Sequence, residues 1–527
     1  MAAGSADPPA SNMPEASTDM ASDAPRSYGA DDLIRRLATS GVLGGAVLKR
    51  VDTHAAHVLL TADRAWKLKR RVRYDYLDFS TPERRRKALE RELELNLRTA
   101  PKLYLGLHRI STSSTGQLGL DGPGMAVDWI LEMRRFADGD LLAAVAQRGD
   151  LVPDLVMAAA DEIVRLHAAA AVSIGSGADR LERVITGNAV SLSRTRLGME
   201  DDEIERLVSR QRSELSRHAA LLDTRAACGR MRRCHGDLHL ANVAVLDGAP
   251  VLFDCLEFSE ELATVDVLYD TAFLIMDLLR VGLPTAASML ANRYVDLSPE
   301  DEAGWTLLPL FMSLRATIRA HVRASAGDTN DASDYLRLAS TVLADEPARL
   351  IAIGGGSGAG KSTLARHIAS AFGPRPGARV LRSDVLRKRL AGVPPETRLP
   401  QDSYTPEAGG MVYDHMFALA EEHLRRGFSV ILDAAFLNPT ERAGAEALAV
   451  AAGVRFSGLW LSVGENERIH RLKTRHKDAS DADAKVAAAQ ASRLADVPPT
   501  WAVLDAHRSL DTVTHDAEVA IQGAKRC

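Results

Sequence analysis

Residues 350–372 carry an apolar run, a glycine-rich loop and a helical pattern in immediate succession. Leu350-Ile-Ala-Ile353 leads into Gly355-x-x-x-x-Gly360-Lys361-Ser362, and Leu364-Ala-Arg-His-Ile-Ala-Ser-Ala-Phe372 follows. Strand, glycine loop and helix is the setting that a phosphate-binding loop requires. The candidate loop residues are Gly355, Gly356, Ser357, Gly358, Ala359, Gly360, Lys361, Ser362 and Thr363. Glycines let backbone N–H groups turn inward onto phosphate oxygens. Lys361 would reach the β- and γ-phosphates, and Ser362 would hold Mg²⁺. The helix N-terminus adds partial positive charge at the same point.

This loop opens a domain. About 180 residues follow it, enough for one α/β unit, and about 350 precede it. A chain of 527 residues suggests two or three domains. The net charge of -5 gives no basic footprint for nucleic acid, so a nucleic-acid partner is not expected. The four cysteines (Cys228, Cys234, Cys255, Cys527) have no metal-site spacing and read as reduced thiols of a cytoplasmic protein. The most apolar stretch, Thr271–Leu279, is interrupted by Asp277 and stops at Arg280. It is too short for a bilayer and reads as a buried helix, so no membrane association is expected. Residues 1–28, rich in Ala, Ser, Asp and Pro, lack the basic start and apolar core of a leader and read as a disordered tail.

After a short amphipathic helix at Asp31–Thr39, Ala56–Thr61 and Arg64–Lys69 read as a hairpin turning at Ala62-Asp63. Alternation puts Trp66 and Leu68 on one face of the second strand, Lys67 and Lys69 on the other. Thr81 is a good N-cap with Pro82 behind it. In the helix that follows, Leu89, Leu93 and Leu97 form a core stripe, with Glu92 and Glu94 pointing elsewhere. A strand lysine followed by a helix glutamate is the front half of a protein-kinase-like nucleotide site. Ala126–Arg135 then reads as a hinge strand. Helices are expected at Leu141–Gln147, Leu155–Ala171 and Glu203–Leu222, with His167 as a helix-packing histidine.

The second chemical cluster is His235-Gly236-Asp237-Leu-His-Leu-Ala-Asn242 and, twelve residues on, Asp254. Asp247-Gly248 between two short apolar runs is a hairpin signal. Asp237 and Asn242 therefore enter the hairpin and Asp254 leaves it. One carboxylate can orient or deprotonate a hydroxyl, while the amide and the second carboxylate offer the hard oxygens Mg²⁺ prefers.

With H-G-D-L-H-L-A-N, the F-D at 253–254 and Asp266-Val-Leu-Tyr-Asp270-Thr-Ala-Phe in place, residues 28–345 resemble the aminoglycoside phosphotransferase family. Together with Leu256-Glu257-Phe258 and the later phosphate loop, the chain looks like the bifunctional aminoglycoside phosphotransferase/ATP-binding proteins. The resemblance implies Asp237 as catalytic base, Asn242 and Asp254 as Mg²⁺ ligands, and Lys69 or Lys67 with Glu92 on the ATP phosphates. It departs from protein kinases in lacking a G-x-G-x-x-G loop before Lys69 and in His-Gly-Asp where His-Arg-Asp would stand. Leu307–Val322 closes this half as a helix whose Arg315 and Arg319 read as a solvated face. A loop at 325–333, a last helix at Tyr335–Leu343 and a linker at Ala344–Pro347 follow.

Beyond the loop, Arg379–Asp384 and Phe428–Asp433 read as strands ending in carboxylates, at the ligand edge of an open parallel sheet. Asp433 suits Mg²⁺, Asp384 acceptor activation or a helix cap, and Arg387 the transferring group. Arg471 and Arg475 share a helix face that resembles the lid of small P-loop kinases. The expected architecture is an α+β bilobal protein-kinase-like domain over 29–345, then an α/β P-loop domain with a mostly parallel sheet over 346–527. The expected activity is ATP-dependent phosphotransfer to a small-molecule hydroxyl, sugar or aminoglycoside-like. Alternatives are a head that only binds nucleotide, a polynucleotide kinase and a nucleotide-sugar kinase.

Overall fold

The computed structural model describes residues 30–74, 77–194, 201–474, 479–482, 490 and 499–523. The expected N-terminal tail and Arg475 lie outside the described residues.

The first half begins with α1 (Ala30–Thr39) and a six-stranded antiparallel sheet. Its strands are β1 (Lys49–Asp52), β2 (Ala56–Leu60), β3 (Arg64–Lys69), β6 (Tyr104–Thr112), β7 (Leu118–Leu120) and β8 (Met125–Arg134). A two-residue ladder, β4 (Arg73–Tyr74) with β5 (Leu77–Asp78), leads to α2 (Pro82–Asn96). Thr81 caps α2 by accepting from Arg84 N at 3.3 Å. Strand β8 lies between β3 and β6 and carries the chain out of this lobe.

The second lobe is helical: α3 (Leu142–Gln147), α4 (Pro153–Ala169), α5 (Gly177–Ser193), α6 (Asp201–Ala227), α7 (Glu260–Ala263), α8 (Val267–Arg280), α9 (Pro284–Leu297), α10 (Leu308–Ser325) and α11 (Thr329–Thr341). Two small ladders hold its chemistry, β9 (Met231–Arg233) with β12 (Thr264–Asp266), and the hairpin β10 (Val243–Leu246) with β11 (Ala249–Leu252). Asp247 and Gly248 both have positive φ, 52° and 79°, as the tight hairpin turn requires. Two sequence expectations change here. Helix α5 was not foreseen, and α11 starts at Thr329, capped by Asp328, inside the stretch read as loop.

The last part is a parallel sheet ordered β14 (Arg379–Arg382), β15 (Val430–Asp433), β13 (Arg349–Gly354), β16 (Arg455–Ser462), β17 (Ala502–Asp505). One face packs on α12 (Lys361–Ile368) and the final helix, Leu510–Gly523. The other packs on α14 (Pro406–Arg425) and α15 (Pro439–Ala452). Helices α13 (Ser383–Leu390) and α16 (Glu465–Thr474) follow β14 and β16. Helices on both faces are what a buried parallel sheet demands.

Strand β14 is an edge, and an open edge needs partners for its backbone. Asn292 of α9 supplies them, accepting from Val380 N at 2.8 Å and donating to Ala378 O at 3.2 Å. Beside it the wholly buried Arg379 donates to Glu302 (2.7 Å) and Asp296 (2.7 Å). Glu302 also receives Arg389 (2.7 Å) and lies 2.9 Å from His423 Nε2. Burial would raise the Glu302 carboxyl, but Arg379 and His423 outweigh it and hold it well below the usual range.

A depressed carboxyl stabilises the folded state above its unfolded value and loses that contribution as pH falls through the folded one. Glu302→Gln should therefore cost about 3 kcal/mol at neutral pH, because it strands buried guanidinium groups. The difference from wild type should shrink on acidification. Urea midpoints of both proteins across pH check this.

Candidate functional site

The first site lies where β3 faces α2. As alternation predicts, Trp66 and Leu68 enter the core while Lys67 and Lys69 face the helix. Lys67 Nζ is 2.7 Å from Glu92 Oε1 and 2.6 Å from Asp254 Oδ1. Lys69 Nζ is 2.6 Å from Glu92 Oε2 and 2.6 Å from Glu257 Oε1. The expected leucine stripe holds at Leu89 and at the partly buried Leu93 and fails at Leu97, which is exposed; helix α2 also buries Arg85, Glu92, Leu95 and Asn96. Glu92 belongs to the buried face because two ammonium groups compensate its charge. Burial would depress both lysines, but Asp254 and Glu92 hold Lys67 well above its ordinary value, and Glu257 and Glu92 raise Lys69. Burial pushes the Glu257 carboxyl up. No role for Glu257 is legible from sequence; the one hint is a charge set between Leu256 and Phe258.

Asp237 sits on a loop leaving β9. The buried Asp270 carboxylate accepts from His235 N (3.1 Å) and Gly236 N (2.8 Å), and His167 Nε2 lies 3.1 Å away. His167 Nδ1 is 2.8 Å from the Tyr294 hydroxyl on α9. Burial would raise Asp270, but its bond to His167 and the nearby His235 and Arg315 take it down to about 2. Gly236 has φ of 86°, and a Cβ there would stand 2.8 Å from Ala263 Cβ. That is the physical reason for His-Gly-Asp. The solvated-face reading of Arg315 is overturned: it is 4% exposed, stacks 4.0 Å from the Tyr269 ring centre and donates to Gly236 O. Arg319 stacks on Tyr335 at 5.7 Å.

The hairpin brings the remaining residues together. Asn242 donates through Nδ2 to Asp237 O (2.9 Å) and Oδ2 (3.0 Å), and its own carbonyl accepts from Phe253 N at 3.0 Å. Asp254 follows with φ of 61°, a strained position for a residue with a side chain. Its N–H donates to the Tyr104 hydroxyl at 3.1 Å. Burial would raise Asp237, but His239, His235 and Arg319 hold it far below the ordinary range, and Lys67 lowers Asp254. An ionised carboxylate at Asp254 and an amide oxygen at Asn242 are a donor set that fits Mg²⁺.

The second site is a cavity of about 1250 Å³ at the C-terminal edge of the parallel sheet. The loop between β13 and α12 lines it. Gly358 has φ of 83° and a Cβ there would meet Arg468 O at 2.6 Å. Lys361 donates to Gly355 O (2.9 Å) and Gly356 O (3.0 Å), and Ser362 Oγ donates to Asp433 at 2.5 Å. Ser357 N donates to Gln490 Oε1 at 2.8 Å, so an oxygen already stands against this loop N–H, as a phosphate oxygen would. Arg382 also reaches Asp433, at 3.3 Å.

Asp384 neither ends β14 nor caps α13. It lies in the first turn of the helix, and burial pushes its carboxyl up. One turn on, Arg387 donates to Ser403 O (2.9 Å) and stacks 4.9 Å from the Tyr404 ring centre. Arg471 donates to Glu467 (2.8 Å), Ala506 O (2.9 Å) and Ala359 O (3.4 Å), beside the phosphate loop. Sequence reasoning did not reach Gln490 or Asp481. Asp481 accepts from Leu399 N at 3.0 Å and from Lys388 and Tyr404.

A lysine–glutamate pair over an Asp-Asn-Asp loop, followed by a phosphate loop on a parallel sheet, defines an ATP-dependent kinase of the phosphotransferase type. Residues 129–305 match the sequence model of the phosphotransferase enzyme family, and residues 350–497 that of an AAA domain. Proteins of Mycobacterium tuberculosis and Mycobacterium bovis, both described as uncharacterised, are 33% identical over 463 residues, 84% of this chain and 90% of theirs. The chain belongs to their family, the bifunctional aminoglycoside phosphotransferase/ATP-binding proteins. Among solved structures, a choline/ethanolamine kinase family protein from Mesorhizobium loti aligns at 14% identity, 59% of this chain, 93% of its own and a TM-score of 0.38. An aminoglycoside 2′-phosphotransferase aligns at 13%, 58%, 95% and 0.35. A gluconokinase from Sinorhizobium meliloti aligns at 19%, 34%, 94% and 0.24. Among the described residues no helix is long and apolar enough to cross a membrane.

Asp270 should be needed for both fold and turnover. Asp270→Asn sets an amide N–H₂ against donors that now meet a carboxylate. We expect a loss of about 3 kcal/mol in denaturant stability and at least a tenfold fall in turnover at the first site, measured with Lys361→Ala in the same chain.

Proposed function

We infer that the chain holds two centres of ATP-dependent phosphotransfer, each moving the γ-phosphoryl group of Mg-ATP to a hydroxyl of a small molecule, sugar or aminoglycoside-like. The observation that supports this best is that each half independently gathers a phosphate-facing cation, a carboxylate base and oxygen ligands for Mg²⁺. Mg²⁺, when bound, would neutralise charge on the phosphate oxygens.

In the first centre Asp237 accepts the hydroxyl proton as the oxygen forms its bond to phosphorus and the bond to the ADP oxygen breaks. Asn242 and Asp254 would hold the metal. Lys67 is the phosphate lysine, because it spans Glu92 and Asp254, whereas Lys69 is the deeper residue tying Glu92 to Glu257. In the second centre the N–H groups of Gly355–Thr363 and Lys361 cradle the phosphates. Ser362 and Asp433 would hold the metal, and Arg471 balances charge from the side of α16. Asp384 is the base there, with Arg387 beside it. Both reactions rest on positioning and charge neutralisation more than on covalent chemistry.

Asp237→Ala and Lys361→Ala should each remove a different phosphorylated product from a panel of sugars and aminoglycosides supplied with ATP. Loss of every product in Lys361→Ala, with none lost in Asp237→Ala, would make the first head a binding module. The lysine assignment has its own test in chains carrying Lys361→Ala. There Lys67→Met should cut turnover by about a hundredfold or more, while Lys69→Met should lower the urea midpoint more than it lowers turnover.

A further inference from the structure

The cavity of the second head extends well past the phosphate loop. Its wall also includes Arg387, Arg398, Leu399, Tyr404 and Asn438, together with Asp384 and Lys361. Asp384 lies three residues before Arg387 in α13, and Arg387 stacks on the Tyr404 ring at 4.9 Å. The candidate base and the guanidinium groups thus line one cavity with the phosphate loop.

Charge pairing separates this wall from the rest of the domain. Arg379 and Arg389 are matched to Glu302, Arg382 to Asp433, and Arg471 to Glu467. Asp481, which also lines the cavity, is committed to Lys388, Tyr404 and Leu399 N. Among the described residues Arg387 and Arg398 have no carboxylate partner. Arg387 meets a carbonyl and a ring, and its Nε is buried without a hydrogen bond. Arg398 is exposed at the rim, next to the anchored Leu399 N–H. A buried guanidinium edge without an acceptor is costly unless something fills it. One such edge at Arg387, with the exposed Arg398 guanidinium lining the same cavity, suits binding of carboxylate or phosphate.

We propose that Arg387 and Arg398 form a subsite for an anionic substituent on the acceptor, so that the second head phosphorylates a small alcohol already carrying a carboxylate or a phosphate group. This rests on the reading of that head as a phosphotransferase. Asp384 and Arg387 are three residues apart on one helix face, where Cβ atoms stand about 5–6 Å apart. The hydroxyl and the anionic group therefore belong to one compact molecule, the first at the base and the second at the guanidinium pair.

The test uses the full chain with Mg-AMP-PNP filling both nucleotide sites. Inorganic phosphate and, separately, acetate are titrated in and followed by calorimetry. One saturable anion site is expected, weakened about tenfold or more in Arg398→Met and further in Arg387→Met/Arg398→Met. AMP-PNP affinity should be unchanged in Arg398→Met. Phosphate binding with little acetate binding identifies a phosphomonoester acceptor, and the reverse a carboxylate. Arg398→Met alters an exposed side chain, so a folding defect cannot imitate the effect. Absence of saturable anion binding overturns the proposal, as does binding indifferent to both variants. An equal fall in AMP-PNP affinity would also overturn it, by placing the guanidinium groups on the nucleotide. If AMP-PNP still saturates two sites in Lys361→Ala, both as tightly as in wild type, the phosphotransferase reading of this head fails instead.

Discussion

Glu92 is a single buried carboxylate shared by two lysines, and the first half of the chain is arranged around that fact. Its two oxygens take Lys67 and Lys69, whose ammonium groups reach on to Asp254 and Glu257. Five charges from a strand, a helix and a loop thus form one continuous chain. None can be withdrawn without leaving another buried charge uncompensated, and such a charge costs far more than a lost surface pair. The pairing therefore fixes the distance from β3 to α2 and seats the loop after β11 against both. The geometry that phosphate chemistry needs is also the geometry at which these charges are neutralised.

The same logic reappears behind the Asp237 loop and between the two halves. Asp270 collects two backbone N–H groups and His167, and His167 reaches Tyr294 on α9. Helix α9 then covers the edge of the parallel sheet with Asn292, beside the Arg379–Glu302 cluster. A run of polar contacts thus leads from the Asp237 loop to β14, the strand that precedes Asp384. The second half does not close its own sheet edge; the first half closes it. In this chain the P-loop sheet is half of a larger buried interface, and Arg379 is polar yet wholly buried because its partners arrive from elsewhere in the sequence.

Local signals carried the sequence reading a long way. The phosphate loop, the β10–β11 turn, the Thr81 cap and the alternation of β3 all depend on neighbours in sequence, and all lie where pattern and spacing put them. Readings that depended on distant partners fared worse. Glu92 was paired with a strand lysine by resemblance, but that it is buried and shared by both lysines depends on an element 23 to 25 residues away. Arg315 looked solvated because the rings of Tyr269 and Phe273 that bury it belong to α8. Gln490 lies in no motif, and Leu256-Glu257-Phe258 marked a resemblance without giving Glu257 a role. Helix α5 does carry an apolar face, Leu181, Ile185 and Leu192, which the sequence reading did not use, and that face packs in the core with residues of α6. Lys67 and Lys69 could not be separated from sequence, since period-two alternation puts both on one face; their different partners across the fold distinguish them.

These contrasts bear on how a charged residue should be read. Lys, Arg, Asp and Glu mark both structural ion pairs and catalytic groups, and residue type alone does not divide them. Arg379 and Arg387 are eight positions apart in one domain. Arg379 is wholly buried, with its guanidinium matched by Glu302 and Asp296. Arg387 is half-buried at the wall of a cavity and keeps an edge with no internal acceptor. The energetic rule is the same for both, that a desolvated charge requires a partner. For Arg379 the fold supplies it, and that residue is architecture. For Arg387 no acceptor for its Nε edge lies among the described residues, which is why this cavity wall is the place we assign to an anionic group of the acceptor.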